Sequence, residues 1–212
     1  MTMMSKIANA HSVHGPALGL AGTANVRTPC GARRVENLRP GDLIVTRDNG
    51  LQPVRIVWTR TVTAAEIAAD PSLAPVRFKP RAVGPMMPQR DLLVAAAHRI
   101  LVPGYRLADM PDTKSCLISA RDIAEASDAA FFDKSVTDLV LHNVVFADHQ
   151  VFAANGLPVE SYLPSQKTVR ELDEAVSRDI AALFAETPEA DPGYPAPRYA
   201  EPAIKDYRPE FV

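Results

Sequence analysis

Residues 41–62 read GDLIVTRDNGLQPVRIVWTRTV and carry the strongest local folding signal in the chain. The turn Asp48-Asn49-Gly50 lies between the apolar run Leu43–Thr46 and the run Val54–Val62. Asn-Gly favours a tight hairpin turn because both residues adopt positive φ angles at little cost. These residues therefore predict a β-hairpin. Its second run alternates as a half-buried strand does, with Val54, Ile56 and Trp58 on one face and Arg55, Val57 and Thr59 on the other.

Runs on both sides of this hairpin also predict β-structure, from residue 26 to about residue 162. Asp91–Val102 reads as a strand, a kink and a second strand, and Leu139–Ala153 carries two further β-rich runs. Ser119–Ala126 predicts a short helix. The main part of the chain is therefore expected to consist of many short strands.

The pattern changes beyond Pro164. Thr168 and Glu171 form a capping-box signature near the start of a helix that we predict over residues 165–187. Apolar residues recur there every three or four positions, as on one face of an amphipathic helix: Val169, Leu172, Val176, Ile180, Leu183 and Phe184.

The last 25 residues form a tail of a different composition. Residues 188–212 hold six prolines, and we expect them to lack regular structure. The tail could still lie on a surface through Tyr194, Tyr199 and Tyr207. The predicted organisation is thus a loose leader over residues 1–18, a domain over residues 19–164, the helix over residues 165–187 and this tail.

The composition excludes several classes of function. Hydrophobic residues make up 47%, charged residues 23%, and the formal net charge is -2. Nothing in this balance indicates a nucleic-acid or membrane-surface partner. No run reaches the roughly 18 apolar residues of a membrane span, and the first fifteen residues lack the apolar core of a signal peptide. We expect a soluble protein, either cytoplasmic or secreted without a conventional signal peptide.

The chain has two cysteines, Cys30 and Cys116. Two distant cysteines make neither a metal-binding pattern nor a disulfide framework, and their spacing leaves open whether they pair. We therefore expect no metal and no cofactor. A zinc site that combines His98, His149 and Asp148 stays an alternative.

Three separated segments share one family pattern. Gly19–Gly31 continues into the polar stretch Arg33–Arg55, Asp91–Arg99 ends on a histidine block, and Phe146–Ser161 combines a second histidine block with Ala-Asn-Gly-Leu. Together, in this order and at this spacing, they resemble the bacterial Hint family, the fold of inteins and hedgehog autoprocessing domains. The resemblance covers residues 19–164. It implies an all-β fold, a compact Hint horseshoe of short strands, with the C-terminal amphipathic helix appended.

The resemblance also implies an activity, which is self-cleavage or protein splicing. A Cys or Ser at the first position attacks the preceding carbonyl, and the acyl group shifts from nitrogen to sulfur or oxygen. The histidine of the second block, here His98, hydrogen-bonds the departing amide nitrogen, and the histidine of the third block, here His149, acts as general acid or base. Asp148 precedes His149 and could orient it. These three residues are the candidate catalytic groups.

The chain departs from the family pattern at three positions. Two ways of aligning the first motif place the nucleophile at Gly19 or at Leu18, and neither side chain can attack a carbonyl. The Ser/Thr position of the second block is Ala95, and the terminal His-Asn position falls on Glu160-Ser161. Asparagine cyclisation is therefore excluded.

These departures favour a degenerate Hint domain that does not cleave and serves as a structural or interaction module. The alternative is an active self-cleaving domain that uses His98 and His149. The ring of His98 could equally be a core group bonded to a backbone carbonyl. A further alternative is that residues 165–212 bind a protein partner or a second copy of the chain.

Overall fold

The computed structural model describes residues 10–12, 15–107, 111, 114–136, 138–185, 194–201 and 207–208. The strands are β1 (Ala10–Ser12), β2 (Leu20–Ala21), β3 (Asn25–Thr28), β4 (Gly31–Arg34), β5 (Leu43–Thr46), β6 (Gly50–Pro53), β7 (Ile56–Val62), β8 (Val76–Phe78), β9 (Leu92–Val94), β10 (Arg99–Pro103), β11 (Ser115–Ser119), β12 (Ala130–Phe132), β13 (Leu139–Val145), β14 (Val151–Ala154) and β15 (Leu157–Glu160). The α-helices are α1 (Ala64–Ala69), α2 (Ala120–Ala126), α3 (Gln166–Arg170) and α4 (Glu174–Leu183). Short 3-10 turns cover Val35–Asn37, Pro71–Leu73 and Gly104–Arg106.

The strands form two sheets. The first has the order β1-β7-β13-β2-β9-β8-β12, and the second runs β11-β10-β15-β14-β3-β4, with β5 pairing both β14 and β6. The described strands pair antiparallel, except for β1 and β7, which run parallel. The predicted all-β arrangement of many short strands is confirmed.

The hairpin at Asp48-Asn49-Gly50 forms, but its second strand differs from the prediction. β5 pairs with β6, which places Thr46 opposite Gly50. The predicted partner run bends instead at Val54, which accepts a hydrogen bond from the Gly41 N–H at 2.8 Å. After this bend β7 begins at Ile56 and enters the other sheet, between β1 and β13. The sequence pattern gives no sign of this bend, because valine, the residue at position 54, is common in strands.

Strand β7 was expected to be half-buried, and this prediction is wrong. Val57 and Arg60 are buried together with Ile56 and Trp58. Val57 belongs to the main core, whereas Ile56 and Trp58 pack against the C-terminal helices. A strand that is covered on both faces loses the alternation that one exposed face would impose.

Other local predictions are confirmed. Asp91–Val102 forms β9, a turn and β10, and Leu139–Ala153 forms β13 and β14. Ser119 caps α2 by accepting a hydrogen bond from the Asp122 N–H at 3.2 Å. The sequence patterns did not predict α1, which begins at a reciprocal capping box formed by Thr63 and Glu66.

Part of the predicted loose leader is structured. Ala10–Ser12 forms β1 and pairs in parallel with residues 58–60 of β7. An outer strand edge presents unpaired backbone groups, which a short added strand can satisfy. Residues 1–9 and 13–14 of the leader lie outside the described residues.

The C-terminal amphipathic helix is divided into α3 and α4. Asp173 lies between them as the N-cap of α4, a position that suits aspartate because its side chain competes with helical backbone bonds. The capping box lies at Ser165 and Thr168, so the predicted pair Thr168 and Glu171 is wrong. Residues 186 and 187 of the predicted helix lie outside the described residues.

The apolar face of these helices packs on the first sheet. The rings of Trp58 and Tyr162 meet edge to face, with centroids 5.0 Å apart. Around them lie Ile56, Val145, Val169, Leu172, Val176, Ile180 and Phe184. The stripe that could have docked a partner is therefore covered by the chain's own sheet.

The two cysteines do not pair. Cys30 is exposed, Cys116 is buried, and both are free thiols. Burial raises the pKa of the Cys116 thiol to about 11, so this thiol stays protonated and inert at neutral pH.

The described helices include no candidate for a membrane span. None of them combines the length and the apolar character needed to cross a bilayer.

Candidate functional site

His98 lies in the turn between β9 and β10. Its N–H donates to the Ala95 carbonyl at 3.0 Å, and its own carbonyl accepts from the Ala120 N–H at 2.8 Å. The side chain is buried, and neither ring nitrogen has a hydrogen-bond partner among the described residues. Burial lowers the pKa of His98 to about 4, although the charge of Glu160 opposes the shift. The ring is therefore neutral at neutral pH, and the expected bond to a backbone carbonyl is not found in this part of the chain.

His149 lies between β13 and β14, and its ring is also buried. Its Nδ1 accepts a hydrogen bond from the Arg198 N–H at 3.0 Å. A nitrogen that accepts carries no proton, so the neutral ring holds its proton on Nε2. That atom lies 3.4 Å from Oε2 of Glu160. The structure thus brings His98 and His149 to the same carboxylate.

Asp148 does not belong to this group. The residue is exposed, on the short loop that precedes His149, and the carboxylate that faces the histidine is that of Glu160. Residues 147 and 148 form an exposed bend before His149, so the Asp148 side chain faces the solvent. The structure therefore does not bring Asp148 together with His98 and His149.

Glu160 and Arg99 form the charged centre of the site. The strand register that pairs Ile100 with Val159 also places Arg99 opposite Glu160. Arg99 Nε donates to Glu160 Oε1 at 2.7 Å, and Arg99 Nη2 lies 2.7 Å from Oε2. Burial alone would raise the pKa of Glu160, but the contacts with His149 and Arg99 outweigh it and hold the pKa low. The carboxylate is therefore ionised at neutral pH.

Sequence reasoning treated Glu160 only as the residue that replaces a family histidine. The available signal was a charged residue that continues an apolar strand, with an arginine in the facing strand. Charged residues are rarely buried unless they are paired. That rule could have singled out Arg99 and Glu160 if the pairing of β10 with β15 had been known.

The two candidate nucleophile positions meet at one peptide bond beside the site. Gly19 has a φ of 111°, and its carbonyl accepts from the Ala95 N–H at 3.0 Å. A Cβ at this position would lie 2.6 Å from the His142 carbonyl oxygen and 2.9 Å from Asn143 Nδ2. The Leu18 carbonyl accepts from the same Asn143 amide at 2.9 Å. The peptide is held firmly, and no side chain fits at Gly19.

A cavity of about 520 Å³ borders His98, Arg99 and Glu160 but not His149. Leu18, His98, Asn143, Glu160 and Tyr162 contribute to one wall, and residues 194–197 close another. The polar atoms around it can polarise a carbonyl and hold a proton. Thr23 and Cys30, the other nucleophilic groups of the first motif, do not line it.

The described residues do not form a metal site. No group of three or more His, Cys, Asp or Glu side chains within them is placed to hold an ion. Asp148, a member of the alternative zinc set, is exposed.

Removing the charge of Glu160 is expected to destabilise the protein more than removing that of Asp148. Glu160→Gln deprives Arg99 of its buried carboxylate partner, and we expect the free energy of unfolding to fall by about 1–2 kcal/mol. Asp148→Asn changes an exposed side chain and should alter it by less than about 0.5 kcal/mol. Urea denaturation at pH 7 measures both values. Equal effects would contradict the assignment of Glu160 as the charged centre.

Several solved structures are similar to this chain. The crystal structure of the MchDnaB-1 intein aligns with a TM-score of 0.41 and 12% identity over 66% of this chain and 98% of the intein. The gp41-1 intein gives 0.40 and 12% over 68% and 98%. The solution structure of a bacterial intein-like domain from Clostridium thermocellum gives 0.36 and 12% over 69% and 99%.

The comparison with curated proteins gives no match. The model of the Hint domain family matches residues 19–166. That match covers well over half of the 212 residues. The chain therefore belongs to the Hint domain family.

Proposed function

We propose that this chain is a Hint domain that does not cleave itself and that acts as a structural or interaction module. One observation carries the proposal, namely the packing around Gly19. Autoprocessing needs a thiol or hydroxyl at the first position. The backbone at Gly19 favours glycine, and the His142 carbonyl and the Asn143 amide occupy the space of a Cβ.

The surroundings of Gly19 support the same proposal. Ala95 stands where the resemblance implies a hydroxyl, and only its backbone N–H contacts the Gly19 carbonyl. Glu160 stands at the terminal His-Asn position and is engaged by Arg99. The contacts around Gly19 therefore hold the chain in place at the start of the domain, whereas the side chains that the family reaction requires are replaced.

A second candidate function is self-cleavage by hydrolysis at the Leu18–Gly19 bond. The observation in its favour is the Asn143 amide, which donates to the Leu18 carbonyl at 2.9 Å and would polarise it. His98 lines the same cavity as Leu18. In this alternative His98 and His149 would assist a water molecule.

Mass spectrometry of the full chain separates these two functions. We expect the purified protein to stay a single species of 23.0 kDa after incubation with dithiothreitol or hydroxylamine, since no acyl shift produces an ester or thioester. A product that begins at or near Gly19 would contradict the proposal. If such a product forms, His98→Ala should abolish it when cleavage is enzymatic and leave it unchanged when a contaminating protease is responsible.

A further inference from the structure

Residues Tyr194–Glu201, called here the tail segment, return across the site after helix α4. The segment makes two main-chain contacts with the domain. The Arg198 N–H donates to His149 Nδ1 at 3.0 Å, and the Ala200 carbonyl accepts from the Leu117 N–H at 2.9 Å. Leu117 lies in β11, the outer strand of the second sheet. The segment therefore satisfies part of a strand edge, as peptides do when they bind by strand addition.

Tyr199 is the side-chain anchor of the tail segment. Its ring packs on a small cluster formed by Leu101, Leu117 and Val151. Its hydroxyl donates to the two carboxylate oxygens of Asp48 at 2.9 and 2.7 Å. Partial burial and the Asp48 carboxylate raise the pKa of Tyr199. An aromatic ring with a paired hydroxyl is a typical anchor in peptide recognition.

The tail segment also joins the charged centre. Glu201 forms an ion pair with Arg99, the same guanidinium that holds Glu160. Arg198 precedes these anchors, and its own side chain is exposed. The contacts thus fall on the backbone at residues 198 and 200 and on the side chains at residues 199 and 201. Residues 198 and 199 form a bend, so these contacts alternate along a curved stretch of chain.

Contacts at the start of the tail segment and beyond its end hold it in place. The Tyr194 ring meets Phe184 edge to face, with centroids 5.8 Å apart. Further along, Tyr207 is buried in the main core and pairs with Leu107. The Arg208 N–H donates to the Arg106 carbonyl at 2.6 Å. The chain is therefore fixed before and after the site.

We propose that the groove between β11, Asp48 and His149 is a peptide-binding site, and that its ligand is the tail segment of the same chain. The ligand class is a peptide with a tyrosine two residues before a glutamate, read through Tyr199, Glu201 and the backbone. The ligand covers His149 and completes one wall of the 520 Å³ cavity. This binding goes beyond the proposed loss of cleavage and does not depend on it.

The test measures binding of a second copy of the ligand to the full chain. A fluorescein-labelled peptide with the sequence of residues 194–208 is titrated with wild-type protein, with the double variant Tyr199→Ala/Glu201→Ala, and with Arg198→Ala. The double variant weakens the built-in ligand and leaves the groove intact. Arg198→Ala keeps every described contact of the segment, because that residue contacts the domain through its backbone.

We expect the peptide to bind the double variant at least tenfold more tightly than the wild type or Arg198→Ala, since an attached ligand competes at high effective concentration. Hydrogen exchange at the Leu117 amide should accelerate in the double variant and slow again when the peptide is added. Equal affinity for all three proteins would overturn the proposal. The proposal would also be overturned if the Leu117 amide exchanges rapidly in the double variant but the peptide does not bind. A third contrary result is a dimer with exchanged tails, detected as a doubled mass by light scattering.

Discussion

Replacing Gly19 by cysteine supplies the thiol that autoprocessing requires, and we expect the variant to be strongly destabilised and still uncleaved. Two effects add at this position. The backbone has a φ of 111°, where a residue with a side chain costs about 1–3 kcal/mol. The new Cβ would also approach the His142 carbonyl oxygen to 2.6 Å, and relief of such crowding costs about another 1–3 kcal/mol. The expected loss in the free energy of unfolding is therefore about 2–6 kcal/mol.

Gly31→Ala provides the matched control. Gly31 has a φ of 105°, but nothing lies within 4 Å of the Cβ that would be added there. That variant tests backbone strain without crowding, and we expect it to lose only about 1–2 kcal/mol. Gly19→Ala should lose as much stability as Gly19→Cys, since the two share the Cβ. Urea denaturation gives all four free energies when the wild type is included.

Mass spectrometry in dithiothreitol then tests the chemistry of the same variants. Gly19→Cys should remain one species, because its side chain can enter only by displacing the Asn143 amide that holds the Leu18 carbonyl. Leu18→Cys tests the other alignment, and its side chain would border the cavity directly. Efficient release of the leader from either variant would show that the rest of the site can still support self-cleavage. The missing nucleophile would then be the single cause of the lost activity.

The sequence predicted those features whose signals are local. The turn at Asp48-Asn49-Gly50 has a positive φ, 61°, only at Gly50, and glycine adopts such an angle at little cost, so the signal is local. Ser119 caps α2 with a hydroxyl that reaches three residues ahead. The family motifs added the order of the blocks, and with it the Hint fold. For the candidate site, His98 and His149 could be predicted because each lies inside a motif.

The features that could not be predicted depend on contacts between distant residues. The pairing of Arg99 with Glu160 follows from the register of β10 and β15, which are more than fifty residues apart. Burial of β7 on both faces depends on α4, which folds back over the sheet. The described tail residues, 194–201 and 207–208, form no helix and no named strand, and Tyr194, Tyr199 and Tyr207 all pack against the rest of the chain. No feature of the sequence indicated that the tail lies over His149.

His98 is expected to make the protein less stable in mild acid. Its pKa in the folded protein is about 4, against an ordinary value of 6.5. Between these values the unfolded chain binds a proton that the folded chain does not bind, so stability falls as the pH decreases from about 7.5 to about 4. At pH 4.5 the loss that comes from this one ring is about 2–3 kcal/mol relative to pH 8. Burial also lowers the pKa of His142, which adds a loss of the same sign.

The variant His98→Gln isolates this contribution, because the losses that come from His142 and from carboxylates remain in both proteins. We expect its free energy of unfolding to change by about 2–3 kcal/mol less than that of the wild type between pH 8 and pH 4.5. Ring resonances of His98 followed by NMR should titrate with a midpoint near 4. Parallel stability curves for the two proteins would contradict the burial of a neutral ring.

His98→Leu extends the argument at pH 8. A buried polar group without partners is costly, so equal or higher stability of this variant would show that the fold does not need the imidazole. Retention of the ring would then point to a role in the cavity beside Leu18 and Glu160.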